Sequence, residues 1–266
     1  MNIICLVKPV PDVENFSYDY EHHVLLRDRG YQIINPDDET AVSAAFDLKQ
    51  QFPGSTVETL TMAPPGARPY LEDLIRRGVD RAVHISDPLF AGSDTYATSG
   101  VLAKFLMDQT YDIILSGTQT LDGGTAHIPA QVAELLGIQH ISDVSRIDRI
   151  ALEEQTATVN VESEDSLYTF EIDLPAVLGM AYSARNRLPY IPYDAINEEV
   201  GGKMKTVTNT DLGLERSRVG LTGSMTQVLR VEVHTYARKE ILRVGTDDES
   251  IDQVYQFLEK RGFLQP

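Results

Sequence analysis

The chain opens on an unbroken apolar run, "IICLV" (3–7), and then repeats one rhythm through its first two-thirds. Short apolar runs at 2–8, 56–62, 81–86 and 112–117 predict buried strands. Between them apolar residues recur at helical spacing. Ala41, Ala44, Ala45 and Leu48 place a helix over 39–52. A second helix covers 67–78 and stops at Gly78. A third covers 93–109, with Ser93 or Asp94 as its cap. A fourth follows "DGGT" (122–125). Strands alternating with helices of this length predict βαβ units and a mostly parallel sheet, an α/β fold.

The rhythm then changes. Residues 157–163 and 167–174 alternate with period two and predict a β-hairpin added to the sheet. Another apolar strand is predicted at 175–183. From Arg185 the regularity fades into prolines, tyrosines and acids, which predicts an extended arm. Ile251, Val254, Phe257 and Leu258 predict a helix over 250–263 at its end. The division expected is an α/β domain at 1–184 and an arm at 185–266.

Composition narrows the function. The net charge of −17, from 40 acidic and 23 basic residues, disfavours nucleic acid and anionic membranes. One small anion can still bind, because backbone N–H groups do not depend on net charge. Cys5 is the one cysteine, so a disulfide within the chain is excluded, and its apolar neighbours predict burial. The apolar run before Lys8 is too short for a signal peptide, and no window approaches a membrane span. A cytoplasmic protein is expected.

Ligands of open α/β sheets sit beyond the carboxyl ends of the strands. The turns at those ends read "KPVPD" (8–12), "NPDDE" (35–39), "TMAPPGA" (61–67), "FAGSDT" (90–95) and "GTQTLDGGTAH" (117–127). The last opens a helix, whose first-turn N–H groups, from Thr125 to Ile128, suit a pyrophosphate. Gly123 and Gly124 are equally compatible with a tight turn and nothing more. No GxGxxG, GxxxxGK[ST] or GxSxG motif is present. His22 and His23 sit among charged residues, and His127 and His140 lack further ligands at metal spacing, so no metal site is expected. Asp37, Asp38 and Glu39 read as acids at a helix start. No triad or carboxylate pair is evident, and no side chain is assigned a catalytic role. Redox chemistry, if present, would be carried by a cofactor.

The ordered set "VKPVPD", "INPDDETAVSAAFDLK", "TMAPP", "GVDRAVHISD", "FAGSDTYATS", "SGTQTLDGGTAHIPAQVAELLG", "LPAVLGM" and "GSMTQV" resembles the beta subunit of electron transfer flavoproteins. The resemblance runs from the first residue to the C-terminal helix. It implies a Rossmann-like core that pairs with an alpha subunit. It also implies a phosphate cradle for FAD, or alternatively AMP, at Asp122, Gly124, Thr125, Ala126, His127 and Ile128. Leu6, Val7, Lys8, Asn35, Thr61, Met62, Gly117, Thr118, Gln119 and Thr120 would flank the nucleotide. Val13 and Asp37 would lie near the alpha subunit's FAD.

"FAGSDTYATS" and "TMAPP" look like the family's electron-bifurcating type, which holds a second FAD and oxidises NADH. That implies NAD(H) beside Asp94, Thr95 and Thr98. It implies ferredoxin as one acceptor and an FAD-dependent dehydrogenase, of acyl-CoA or lactate type, as the other. Ile191 falls at the family's apolar anchor for that dehydrogenase. The basic stretch that follows it in the family is acidic here. His127 and Pro129 replace a Gln and a Gly common in the family. The alternatives are a conventional beta subunit with structural AMP, and a stand-alone nucleotide-binding regulator.

Overall fold

The computed structural model describes residues 1–12, 18–19, 24–25, 32–163, 165–184, 187–227 and 244–264. They fall into two compact units, Met1–Gln227 and Val228–Pro266.

In the first unit nine strands make one sheet. They are β1 (Asn2–Leu6), β6 (Thr56–Met62), β7 (Arg81–Ile85), β8 (Ile113–Gly117), β9 (Gln139–Ala151), β10 (Thr156–Glu162), β11 (Leu167–Asp173), β12 (Ala176–Met180) and β13 (Met204–Val207). Their order is β11-β10-β9-β12-β8-β1-β6-β7-β13. All pairings from β9 to β13 across the middle are parallel, while β9, β10 and β11 pair antiparallel. Four short strands lie outside the sheet: β2 (Pro9–Pro11) with β5 (Gln32–Ile34), and β3 (Tyr18–Asp19) with β4 (Val24–Leu25).

The central strands read as apolar runs because both of their faces are covered. Alternate residues point to opposite faces. Ile3, Cys5 and Val7 pack with Ala41, Ala45 and Leu48 of α1 (Pro36–Gln51) and Leu71 and Leu74 of α2 (Arg68–Arg76). Ile4, Leu6 and Leu60 pack with Val101, Leu102 and Leu106 of α3 (Thr95–Leu106) and Val132 of α4 (Ile128–Leu136). Cys5 is fully buried, and burial pushes its thiol far above the usual range.

β9 is a strand that the apolar pattern does not predict. It carries Asp143, Arg146, Asp148 and Arg149, and most of its residues are at least partly exposed. Its length comes from pairing with β10 on one side and β12 on the other. The segment after 187 also does more than extend. Ser43 Oγ donates to Arg187 O at 3.1 Å, and β13 adds an edge strand in register with Ala82–Ile85. A capping box between Thr208 and Asp211 then starts α5 (Asn209–Leu212), and α6 (Gly220–Gly223) follows.

The second unit holds α7 (Asp248–Lys260), capped by Asp247, which accepts from Ser250 N at 2.9 Å. Its Ile251, Val254, Tyr255 and Phe257 are exposed. Among the described residues no helix is long and apolar enough to cross a membrane.

Candidate functional site

β1 and β8 are neighbours at the middle of the sheet, but the chain leaves them in opposite directions. From β1 it crosses by α1 to β6, then by α2 to β7. From β7 it returns by α3 to β8, on the other side of β1. Such a reversal opens a crevice beyond the carboxyl ends of the strands. A cleft of about 630 Å³ lies there, within the range of small-molecule sites. Leu6, Leu60, Met62, Ile85, Phe90 and Leu102 give it an apolar wall on the α3 and α4 face.

The floor is stitched by α1. Pro36 starts that helix at its first position, and Asp38 follows in the first turn. Asp38 belongs to the buried stripe Asp38, Ala41, Ala45 and Leu48, so its carboxylate is driven into the sheet. It accepts from Lys8 N at 2.8 Å and from Gly117 N at 3.0 Å, joining the ends of β1 and β8. Burial pushes its pKa up to about 7, against the lowering effect of those bonds and of Asn35. Gly117 must be glycine for this contact. A Cβ there would lie 2.4 Å from Asp38 Oδ1 and 2.8 Å from the Asp37 carbonyl carbon.

The first half of the 118–127 turn is held at several points. Thr118 N donates to Met180 O at 3.1 Å, and its hydroxyl sits against Gly179 O and Met180 O. Gln119 N donates to Asp37 Oδ2 at 3.3 Å. Asn35 clamps the turn, donating to Gln119 O at 2.7 Å and accepting from Leu121 N at 3.1 Å. Gly124 N donates to Thr120 O at 2.8 Å. The second half is different. Gly124 and Ala126 take left-handed φ values of 58° and 55°, and α4 begins two residues later. The amides of Thr125, Ala126, His127 and Ile128 have no acceptor among the described residues. Free amides at a helix N-terminus are the kind of group that could hold an anion.

Lys8 Nζ meets Asp122 Oδ2 at 2.6 Å on the rim. Burial pushes the Asp122 carboxyl up, but the bonds from Lys8 and Thr120 outweigh it and hold the group below its usual range.

Of the residues that the family resemblance implicates, Leu6, Val7, Lys8, Met62, Asp94, Thr95, Thr98, Gly117, Thr118, Gln119, Thr120, Thr125, Ala126, His127 and Ile128 line this one cleft. Asn35, Thr61, Asp122 and Gly124 do not line it; they brace residues that do. Thr61 Oγ1, for example, donates to Val7 O. Asp37 sits behind the turn, where burial raises its pKa. Val13, His22 and His23 lie outside the described residues. Ile191 is half-buried, while its neighbours Tyr190 and Tyr193 are each 92% exposed. Among the described residues no group of three or more His, Cys, Asp and Glu side chains is placed to hold a metal ion.

The sequence marks Asp38 only as an acid at a helix start and gives Ser116 no role. Both line the cleft, and the Ser116 hydroxyl is buried without a hydrogen-bond partner. The signals were there: Asp38 is in phase with Ala41 and Leu48, and Ser116 is in register with Leu6. The residues thus offer unpaired amides, a flat apolar slot and an unpaired hydroxyl. That set fits a nucleotide with a phosphate group and an aromatic ring.

The chain's similarities to known proteins converge. The family model described as the electron transfer flavoprotein domain matches residues 23–212. An electron transfer flavoprotein subunit beta of Thermoanaerobacterium thermosaccharolyticum is 31% identical over 98% of this chain and 99% of its own length. The CarD subunit of the caffeyl-CoA reductase–Etf complex of Acetobacterium woodii is 32% identical over 86% of this chain and 87% of its own. The protein FixA of Azotobacter vinelandii is 31% identical over 87% of this chain and 83% of its own.

Proposed function

The chain belongs to the electron transfer flavoprotein family, on the side of its beta subunits, and on that premise we propose that it binds FAD in the cleft of the first unit and serves NADH-dependent electron bifurcation. The observation that carries this reading is the run of unpaired amides from Thr125 to Ile128 in a cleft that continues past Leu6 and Met62 to Thr95 and Thr98. One end suits the diphosphate, and the apolar wall suits flat rings. The place of the relative CarD in a reductase–Etf complex supports the same reading.

When bound, FAD would supply the chemistry by which the two electrons of a hydride from NADH are divided, one to ferredoxin and one to the alpha subunit's FAD. The chain's own residues bind, orient and shield. Amides at 125–128 hold the phosphate oxygens without adding positive charge. Leu6, Leu60 and Phe90 exclude water from the slot, which strengthens every polar contact inside it. Asp38 and Asn35 fix the two strand ends and the turn, so the cradle is formed before the ligand arrives. The hydride transfer itself needs no general acid or base from a side chain.

Partners are the alpha subunit and an FAD-dependent dehydrogenase of acyl-CoA or 2-hydroxy-acid type. The surface proposed for the dehydrogenase is the 190–199 segment. It shows Tyr190 and Tyr193 to solvent and carries exposed Asp194 and Glu199. The test is to purify the chain with its alpha subunit, extract the nucleotides and count them. Two FAD per heterodimer, with flavin bleached by NADH, is the expected result. One FAD plus one AMP, unreactive to NADH, replaces this reading with the conventional AMP-holding subunit.

A further inference from the structure

Residues of the 87–95 segment form a second wall of the cleft, apart from the amide cradle in sequence. Short hydrogen bonds tie this wall to a segment more than a hundred residues away in sequence. Asp87 Oδ2 accepts from Asn209 N at 3.0 Å, and Leu221 N donates to Ala91 O at 3.1 Å. Gly220 N donates to Ser93 Oγ at 3.1 Å. Ser224 Oγ sits at 2.8 Å from Asp94 N, Ser224 also reaching Gly92 O and Gly220 O. The fit between the segments is close: a Cβ on Gly220, whose φ is +60°, would lie 2.2 Å from Leu89 O.

Asp94 is the centre of this seam. One carboxylate oxygen accepts from Ala97 N at 3.0 Å and caps α3. The other accepts from Thr226 N at 2.8 Å and from Thr226 Oγ1 at 3.0 Å. Its acceptor oxygens are therefore committed on both sides. A carboxylate in that place also fills the α3 N-terminus and leaves the free amides of α4 as the cleft's anion end. Thr95 and Thr98, on the first turn of the helix that Asp94 caps, line the cleft; Ser224 and Thr226 do not.

We propose that Asp94 is a positioning residue that locks the 87–95 wall to the 220–226 segment, so that a nucleotide entering the cleft is felt in a segment it does not touch. This rests on the reading of the cleft as a nucleotide site. The lock makes the wall and the segment one mechanical body, and a ligand that orders Thr95 and Thr98 orders Thr226 through the shared carboxylate.

The experiment is amide hydrogen exchange on the full-length chain purified with its alpha subunit, stripped of nucleotide and then given FAD or AMP. In the parent protein, peptides covering 87–98 and 220–226 both slow on addition of nucleotide. Asp94→Ser separates the two roles. Serine caps a helix as well as aspartate does, but it is too short to hold Thr226 as well. In Asp94→Ser the 220–226 amides exchange faster before any ligand is added, and nucleotide slows them less than in the parent, since the bonds to Ala91 and Ser93 remain. Thr226→Val keeps the backbone bond, and the response at 220–226 persists. Nucleotide affinity in Asp94→Ser falls about fivefold, the scale of one lost hydrogen bond. Nucleotide that protects 87–98 of the parent and leaves 220–226 unchanged overturns the proposal, as does an undiminished response in Asp94→Ser. If neither FAD nor AMP is retained by the parent protein, the nucleotide reading fails, and the coupling fails with it. The ligand-free exchange of Asp94→Ser still shows whether the lock exists.

Discussion

On the α4 side of the cleft the chain bonds Gly117, Thr118, Gln119, Leu121 and Gly124, and then leaves the four amides of 125–128 open. On the α3 side nearly every polar group of the wall is taken, and the partners come from 207–226. One wall leaves its backbone open; the other is tied in place. Backbone amides bind an anion whatever side chains they carry. A wall made of side-chain bonds depends on particular residues far apart in sequence. The two walls should therefore answer mutation differently.

The harshest way to break the comparison is to crowd the seams beneath each wall. Gly117→Ala puts a methyl group into Asp38 and the backbone of α1, and Gly220→Ala puts one into Leu89 O. Each should cost on the order of 3 kcal/mol in chemical denaturation. Gly117→Ala should also abolish nucleotide retention. An unchanged denaturation midpoint in either variant would mean that the seams are not tight.

Asp38→Asn probes the floor between the two walls. The folded pKa of Asp38 is raised to about 7, above its unfolded value, so the folded state holds the extra proton. Stability is then full below the unfolded pKa and is lost as pH rises from about 4 to about 7, by up to about 1.4 kcal/mol per pH unit. Asp38→Asn should flatten that slope. Denaturation series at pH 5 and pH 8 check it, and equal slopes in the two proteins would contradict the assignment.

Lys8→Ala is a milder probe of the open wall. The Lys8–Asp122 pair is partly exposed, so stability should change by less than about 1 kcal/mol. The freed Asp122 carboxylate then repels a phosphate nearby, and titration should show FAD or AMP binding about tenfold weaker. His127→Gln should do least. His127 caps α4 without a side-chain hydrogen bond, so its backbone amide survives the change. Binding should move by less than about threefold, under the value of one hydrogen bond; a larger loss would give the imidazole a part in the cradle.

The open wall was the more legible in sequence. Its apolar strand, glycine turn and helix are neighbours in the chain, so local periodicity and turn chemistry were enough. Asp94 was legible as a helix cap, and the structure shows it in that role. Its second partner, Thr226, was not, because no local rule links residues 132 positions apart. β9 escaped for another reason: its polar residues are tolerated by a partly exposed strand, which leaves no apolar run to see. β13 was hidden because an edge strand of four residues, with two of them exposed, has almost no pattern at all.

The bonds of Thr118 carry a consequence for the order of assembly. The first residue of the turn, Thr118, hangs on Gly179 and Met180, which belong to a strand made some sixty residues later. During synthesis the turn from 118 to 128 emerges with Asn35 and Asp37 already made but without the partners of Thr118. At roughly 5–20 residues per second, β12 follows only after several seconds, and the 220–226 seam later still. A nascent chain therefore has the amides long before it has the site. Cofactor loading becomes a late event, one that reports a nearly finished fold and favours chains whose β12 has found its place between β8 and β9.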